Sequence, residues 1–159
     1  MDALLDLLKK EARLTTLQMA ERLGRSEGEI EEMIATLQSK GAILGYHAVI
    51  DPEQAGERHV SAFIEVKLTP ERDGGFDRLA QRIARFDQVR SCFLMSGGYD
   101  LVVVVEGNDL REVARFVSEK LSTIDGVLST ATHFQLKVYK QSGFLARESR
   151  EDERLAVTP

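Results

Sequence analysis

Shifting the chain by 38 residues lays one half of its C-terminal portion on the other. "FDQVRS" (86–91) falls on "IDGVLS" (124–129), Ile83 on Leu121 and Val66 on Val104. A repeat of this kind is one supersecondary unit used twice, and neither copy can bury its apolar side alone. Each half reads strand, helix, strand. The first runs Val60 to Leu68, Phe76 to Phe86 and Val89 to Ser96. The second runs Tyr99 to Glu106, Leu110 to Ile124 and Val127 to Tyr139. Two such units in tandem give βαββαβ, the ferredoxin-like arrangement of an antiparallel sheet with both helices on one face. Ala62, Ile64, Val66 and Leu68 alternate with Phe63, Glu65 and Lys67, as in a half-buried strand. "LVVVV" (101–105) has no alternation, which predicts a central strand covered on both sides. With helices on one side only, the second cover implies a partner subunit.

Ahead of the repeat, residues 1–41 read as three short helices. Leu4, Leu5 and Leu8 share a face in the first. Thr15 to Gln18 and Ser26 to Glu29 each fit S/T-x-x-E/Q, in which a cap and the third helical residue satisfy each other's backbone donors. The second helix then carries Leu17, Ala20 and Leu23 as a stripe and turns at Gly24; the third carries Ile30, Met33, Ile34 and Leu37 and ends at Gly41. Two helices joined by a tight glycine turn have the helix-turn-helix layout. "AILGYHAVID" (42–51) is strand-like and ends at Asp51-Pro52. The expected fold is α+β, a winged-type helix-turn-helix over residues 1–50, a linker 51–58, and a ferredoxin-like domain over 59–140. The remainder, 141–159, is charged and then mildly apolar. It reads as a solvated tail, or alternatively as a segment docking on a neighbouring subunit through Leu155 and Val157.

Composition narrows the function. A net charge of −5 and a pI near 5.3 argue against a strongly basic nucleic-acid coat, though not against a local basic patch. Cys92 is the only cysteine, so no internal disulfide forms, which suits a reducing cytosol. The N-terminus is too acidic and amphipathic for a secretion signal, and the longest apolar run, 101–105, is far short of a membrane span. A cytoplasmic protein without membrane contact is expected. His47, His59 and His133 have no metal-ligand spacing, and Cys92 lies mid-strand with no neighbour to lower its pKa. No nucleophile elbow, phosphate loop or dinucleotide fingerprint is present. Neither catalysis, nor a metal, nor a cofactor is expected.

The remaining chemistry is in "MSGGYDL" (95–101), a hairpin-turn signal between two predicted strands. Beyond making a turn, Gly97 and Gly98 leave backbone N–H groups open to a carboxylate. Asp100 can receive an amino group, and Tyr99 offers a ring and a hydroxyl. Together they complement a zwitterionic amino acid. Thr130 and Thr132 add hydroxyls if the last strand lies nearby.

With the helix-turn-helix, the exit Gly41, Ile43, Gly45, Tyr46, and βαββαβ carrying Gly97-x-Tyr99-Asp100, residues 1 to about 140 resemble the Lrp/AsnC family of "feast/famine" transcription regulators. The resemblance implies an N-terminal DNA-binding domain and dimers formed through the sheets. It also implies assembly into tetramers or octamers, with an amino acid bound between dimers near the Gly-x-Tyr-Asp turn. Gly97, Tyr99, Asp100 and Thr132 match the family's effector-site positions, and Gly98 and Thr130 adjoin them. The DNA-binding candidates are Thr16, Arg22, Arg25, Ser26, Glu31 and Lys40, with double-stranded DNA as partner.

One departure stands out. The family's third helix carries an arginine and a later basic residue where this chain has Met33 and Thr36. Residues 1–50 hold six Lys/Arg against eight Asp/Glu, four of them Glu27, Glu29, Glu31 and Glu32. Phosphate contacts supply most non-specific DNA affinity. Three explanations stay open: acids that favour the helix dipole, a glutamate that reads cytosine N4 while Arg22, Arg25 and Lys40 grip phosphate, or an amino-acid-sensing oligomer with weak or no DNA binding that acts through mixed oligomers or protein partners. A minor alternative is an enzyme resembling haem-biosynthesis decarboxylases, whose paired arginines after the helix are missing from Gly41–Gly45.

Overall fold

The computed structural model describes residues 2–57, 59–70 and 75–146, so the readings of Leu155 and Val157 lie outside the described residues. The chain forms two compact units, one up to Ala48 and the other from Val49.

The first unit holds α1 (Asp2–Lys10), α2 (Thr16–Leu23) and α3 (Glu27–Ser39). Both capping boxes form. The Thr15 hydroxyl accepts from Gln18 N–H at 3.2 Å, and Gln18 accepts from Thr15 N–H at 2.9 Å. Ser26 accepts from Glu29 N–H at 3.3 Å, and Glu29 accepts from Ser26 N–H at 2.9 Å. Gly24 ends α2 in the left-handed region, φ +63°. Leu4, Leu8, Met19, Ala20, Ile30 and Leu37 form the buried core. Leu17 was expected there and is instead 54% exposed. Met19 and Leu23, four residues apart, set the buried arc of α2, and Leu17 falls outside it.

The second unit opens with a short helix, α4 (Pro52–Ala55), capped by the Asp51 carboxylate. Then come β1 (Val60–Leu68), α5 (Asp77–Ala84), β2 (Val89–Leu94), β3 (Leu101–Gly107), α6 (Leu110–Arg115) running into a π-helical stretch Phe116–Leu121, and β4 (Val127–Phe134). The sheet order is β2-β3-β1-β4, every pair antiparallel. The repeat is thus realised as βαββαβ, with β1 and β3 central. Ala62, Ile64, Val66 and Leu68 of β1 and Leu101, Val103 and Val105 of β3 bury against Leu79, Ile83, Val113, Phe116, Leu121 and Ile124. The repeat-related Ile83 and Leu121 are both fully buried, and Phe86 meets Phe116 edge-to-face at 5.4 Å. Cys92 joins the helix side, its thiol 3.9 Å from Ala80 O, and burial pushes its pKa up.

Three expectations change. Residues 42–51 form no strand. A strand exists through its ladder, and among the described residues none pairs with this segment; Leu44 is 96% exposed. Next, β4 stops at Phe134 rather than Tyr139 because β1 has run out: Phe134 pairs with Ala62, and Gln135 N–H reaches Ser61 O as the last rung. Finally, residues at the head of the expected tail form a small hairpin, β5 (Lys140–Gln141) with β6 (Phe144–Leu145). Its turn residues Ser142 and Gly143 both have positive φ, +49° and +91°, as a two-residue hairpin requires.

Gly126, which begins the return into β4, has φ +95°, and a Cβ there would lie 2.7 Å from Leu79 Cδ1. Strain and overpacking combine, so Gly126→Ala should cost roughly 2–4 kcal/mol. At Gly98 an added Cβ meets nothing within 4 Å, and Gly98→Ala should change stability by less than about 0.5 kcal/mol. Urea unfolding of the two variants checks this; equal midpoints would contradict it.

Candidate functional site

The face of α2 and α3 comes first. Ser26 caps α3, and Thr16, at the first position of α2, donates its hydroxyl to Glu27 Oε1 at 2.6 Å. Arg22 Nη1 lies 2.8 Å from Glu11 Oε1, and Arg25 Nη1 lies 3.4 Å from Glu29 Oε1. The Arg22 hydrogen bond holds the Glu11 carboxyl below the usual range, and Glu11 in turn raises Arg22. The Ser26 N–H, with its hydroxyl, lowers Glu29. A depressed carboxyl contributes stability above the unfolded-state value and loses it as pH falls through the folded-state value. Exposed pairs like these contribute little.

Two of the four acids on α3 thereby have local duties: Glu29 completes a capping box and Glu27 accepts from Thr16. Glu31 is exposed and, like Lys40 beyond the end of the helix, has no partner among the described residues. Of the three basic candidates, Arg22 and Arg25 are already engaged by acids of the same unit. Sequence reading placed these residues on the right elements but could not see those pairings, since residues 11 and 22 meet only once α2 folds back beside α1.

The second candidate is the loop between β2 and β3. Leu94 pairs with Leu101 and Met95 N–H bonds Asp100 O at 2.8 Å, so Ser96 to Tyr99 form the tip. Gly97 has φ +139°, and neither it nor Gly98 has any neighbour within 4 Å of a built Cβ. Tyr99 and Asp100 are half-buried. The Asp100 N–H bonds Val66 O at 3.0 Å, and its carboxylate Oδ2 accepts from Leu68 N–H at 2.7 Å. That second bond has a plain cause. Leu68 lies past Val66, which pairs with the first residue of β3, so its N–H meets no β3 carbonyl and the Asp100 side chain takes that place. Sequence reading assigned Asp100 to a ligand amine and missed this structural duty.

Thr130 and Thr132 lie across β1 from the loop. Thr130 pairs with Val66 and Thr132 with Ile64, both helix-side positions, and Thr130 Oγ1 is 3.3 Å from Ser122 Oγ. Leu101 also pairs with Val66, so Thr130 and the loop's base are two strand spacings apart, about 10 Å. Gly97, Gly98, Tyr99 and Asp100 are together; the two threonines stand apart from them, turned toward the helices.

A third feature is the sheet face opposite the helices. Phe63 pairs with Val104 and His133, Glu65 with Val102 and Ala131, and Phe93 with Val102. Phe63 is 42% and Phe93 55% exposed, and Val102 and Val104 are half-buried. His133 Nε2 lies 3.3 Å from Glu65 Oε1 on the same face. Within one chain β3 is covered only on its helix side, and among the described residues no second cover for the other face is present. Phe93 and His133 were missed in the sequence, although their strand parity with Phe63 was the available signal. Among the described residues no three His, Cys, Asp or Glu side chains gather as a metal site, and no helix is long and apolar enough to cross a membrane.

Residues 61–145 match the Lrp/AsnC ligand binding domain. Over 157 residues the chain is 44% identical to YugG of Bacillus subtilis (strain 168), named as an uncharacterised HTH-type transcriptional regulator, covering 98% of this chain and 95% of that one. The alignment therefore runs into the C-terminal tail. A transcriptional regulator from Neisseria meningitidis, solved in complex with L-Met, is similar with a TM-score of 0.67 and 26% identity, covering 87% of this chain and 88% of its own. The leucine response regulatory protein of Mycobacterium tuberculosis is similar with a TM-score of 0.71 and 25% identity, covering 87% and 92%.

The double duty of Asp100 yields a prediction. Asp100→Ala leaves the Leu68 N–H without its acceptor and should cost about 1–3 kcal/mol. Asp100→Asn keeps an acceptor oxygen and should cost less than about 1 kcal/mol. Urea unfolding measures both, and an Ala variant as stable as the parent would remove the ladder role.

Proposed function

We propose, because the chain belongs to the Lrp/AsnC family of transcription regulators, that it is a cytoplasmic DNA-binding regulator whose oligomer responds to a small amino acid. The observation that carries this reading is the joining, in one chain, of a doubly capped α2–turn–α3 to a sheet with an exposed apolar face and an open Gly97–Asp100 loop. In this reading a second copy covers Phe63, Phe93, Val102 and Val104, forming a dimer, and dimers assemble further. The amino acid binds between dimers. Its carboxylate meets the backbone N–H groups of Gly97 and Gly98, and its amine meets the Asp100 oxygen not bonded to Leu68. Tyr99 packs on the side chain. The threonines, remote from the loop within one chain, enter from a neighbouring subunit. Effector binding biases the packing between dimers, and so the spacing of the reading helices on DNA.

Thr16, Arg22, Arg25, Ser26 and Lys40 supply the phosphate contacts, and Glu31 reads a base, Glu27 and Glu29 being engaged within the unit. A second reading has its own support. With Arg22 and Arg25 engaged by Glu11 and Glu29, the phosphate grip of one subunit is weak, and the protein then acts as a sensor with little DNA affinity of its own. The regulator names of its relatives speak against the decarboxylase alternative.

Binding to the protein's own upstream DNA across a salt series separates the two readings. A steep slope of log K against log salt supports the regulator; absent binding at low salt with an intact oligomer supports the sensor. Arg25→Ala should weaken binding to all sequences alike and lower the slope by about one unit, whereas Glu31→Gln should change sequence preference. For the effector, a panel including Met, Leu and Asn is added while oligomer size is followed by sedimentation. Asp100→Asn should fold normally and lose the amino-acid-dependent shift; a normal response would refute the assignment.

A further inference from the structure

The open face of the sheet carries an ion pair amid its apolar row. His133 Nε2 lies 3.3 Å from Glu65 Oε1, and both side chains are partly open to water. Phe63 pairs with His133, and Val102 and Ala131 pair with Glu65. The other charged groups of this face are Lys67, exposed and two residues along β1, and Glu106 of β3, which Arg90 of β2 holds at 2.6 Å. With His133 neutral these groups sum to zero. Glu65 is the acid of this face that no lysine or arginine contacts among the described residues. On an open surface such a pair contributes little. Taken out of water, a carboxylate is costly unless a full opposite charge accompanies it. A neutral imidazole can donate a hydrogen bond to Glu65 but leaves its charge uncompensated, whereas a protonated one supplies both.

We propose that the proton is an effector of this protein, taken up at His133 beside Glu65 in each subunit when a second copy covers the face, so that assembly tightens in mild acid and loosens above neutrality. This rests on the reading that a second copy covers Phe63, Phe93, Val102 and Val104. A histidine that gains a desolvated anionic partner on assembly holds its proton more firmly there. Its contribution is therefore complete in mild acid and is lost as pH rises through the range in which histidines discharge, about pH 5 to 8. At lower pH, protonation of Glu65 removes the pair again. Lys67 and Arg90 do not substitute for the imidazole: the first extends into water, and the second is engaged by Glu106. The other two histidines, His47 and His59, lie outside the strands.

The test follows dimer dissociation of the full chain by fluorescence-detected sedimentation at fixed ionic strength, with no amino acid added. Between about pH 6 and pH 8 the dissociation constant should rise by about tenfold or more, since one proton per subunit is released. His133→Gln and Glu65→Gln, at positions partly open to water, should fold normally and flatten this profile. His133→Lys, charged at every pH in the series, should flatten it at the tight level seen in acid. A flat profile in the parent, or a slope that survives His133→Gln, would overturn the proposal. Phe63→Glu checks the covering separately. If it leaves the dimer intact, the face is not the interface, and the underlying reading falls together with the proposal. If it dissociates the dimer while the parent profile is flat, the interface stands and the proton proposal alone is refuted.

Discussion

A four-stranded antiparallel sheet with helices on one face buries one parity of its strands and leaves the other to be dealt with. Here β1 and β3 form the middle of that sheet, and their helix-side residues are completely or nearly completely buried. Everything else in the second unit is arranged around this pair. The helices α5 and α6 supply its cover, the β2–β3 loop is fixed to the end of β1 through Asp100, and β4 lasts as long as β1 gives it rungs. The opposite parity carries Phe63, Phe93, Val102 and Val104, too apolar a row to be an ordinary wet surface. The proposed pairing of subunits through this face would thus follow from the same alternation that makes the core.

The acids at the start of α3 lose part of their oddity once Glu27 and Glu29 are given their bonds. Glu29 closes a capping box and Glu27 holds the Thr16 hydroxyl, so both tie α3 to its start or to α2. They stabilise the turn that sets the reading helix at its angle, and they favour the positive end of the helix dipole. What remains is the state of the arginines. An exposed pair such as Arg22–Glu11 is worth little in water, so a phosphate can displace the carboxylate at small cost. The net gain per contact is nevertheless smaller than for a free arginine, because one favourable pairing is exchanged for another. Affinity would then have to come from several subunits acting on one stretch of DNA rather than from one strongly basic domain.

The features legible in the sequence were those set by local chemistry or repeated pattern. The 38-residue repeat located β1 to its residue bounds and placed both helices; the two capping boxes located α2 and α3. Less legible were features that depend on what lies across a strand. Residues 42–51 have strand-like composition but no ladder partner, and the length of β4 is set by β1 rather than by its own residues. The same holds at the candidate sites. Gly97, Gly98, Tyr99 and Asp100 could be read as one loop, whereas the 2.7 Å bond from Leu68 to Asp100 and the remoteness of the threonines are facts of register.

That register bears on how a ligand at the loop could be felt elsewhere. Asp100 Oδ2 holds the last rung of β1, while the other carboxylate oxygen has no protein partner among the described residues. An amine bound to the free oxygen would leave the rung intact, so ligand and sheet need not compete for the group. It would instead add a second restraint to a side chain already fixed at one end. The loop tip, open at both glycines, would be the part whose freedom is lost. If, as proposed, the tip borders a neighbouring subunit, ordering it would change the free energy of that contact without any rearrangement of the core. The core has no such latitude: a close-packed interior like that between β1, β3 and the two helices does not deform continuously. Under the proposed reading, a signal from this loop would therefore leave through the surface of the unit rather than through its middle.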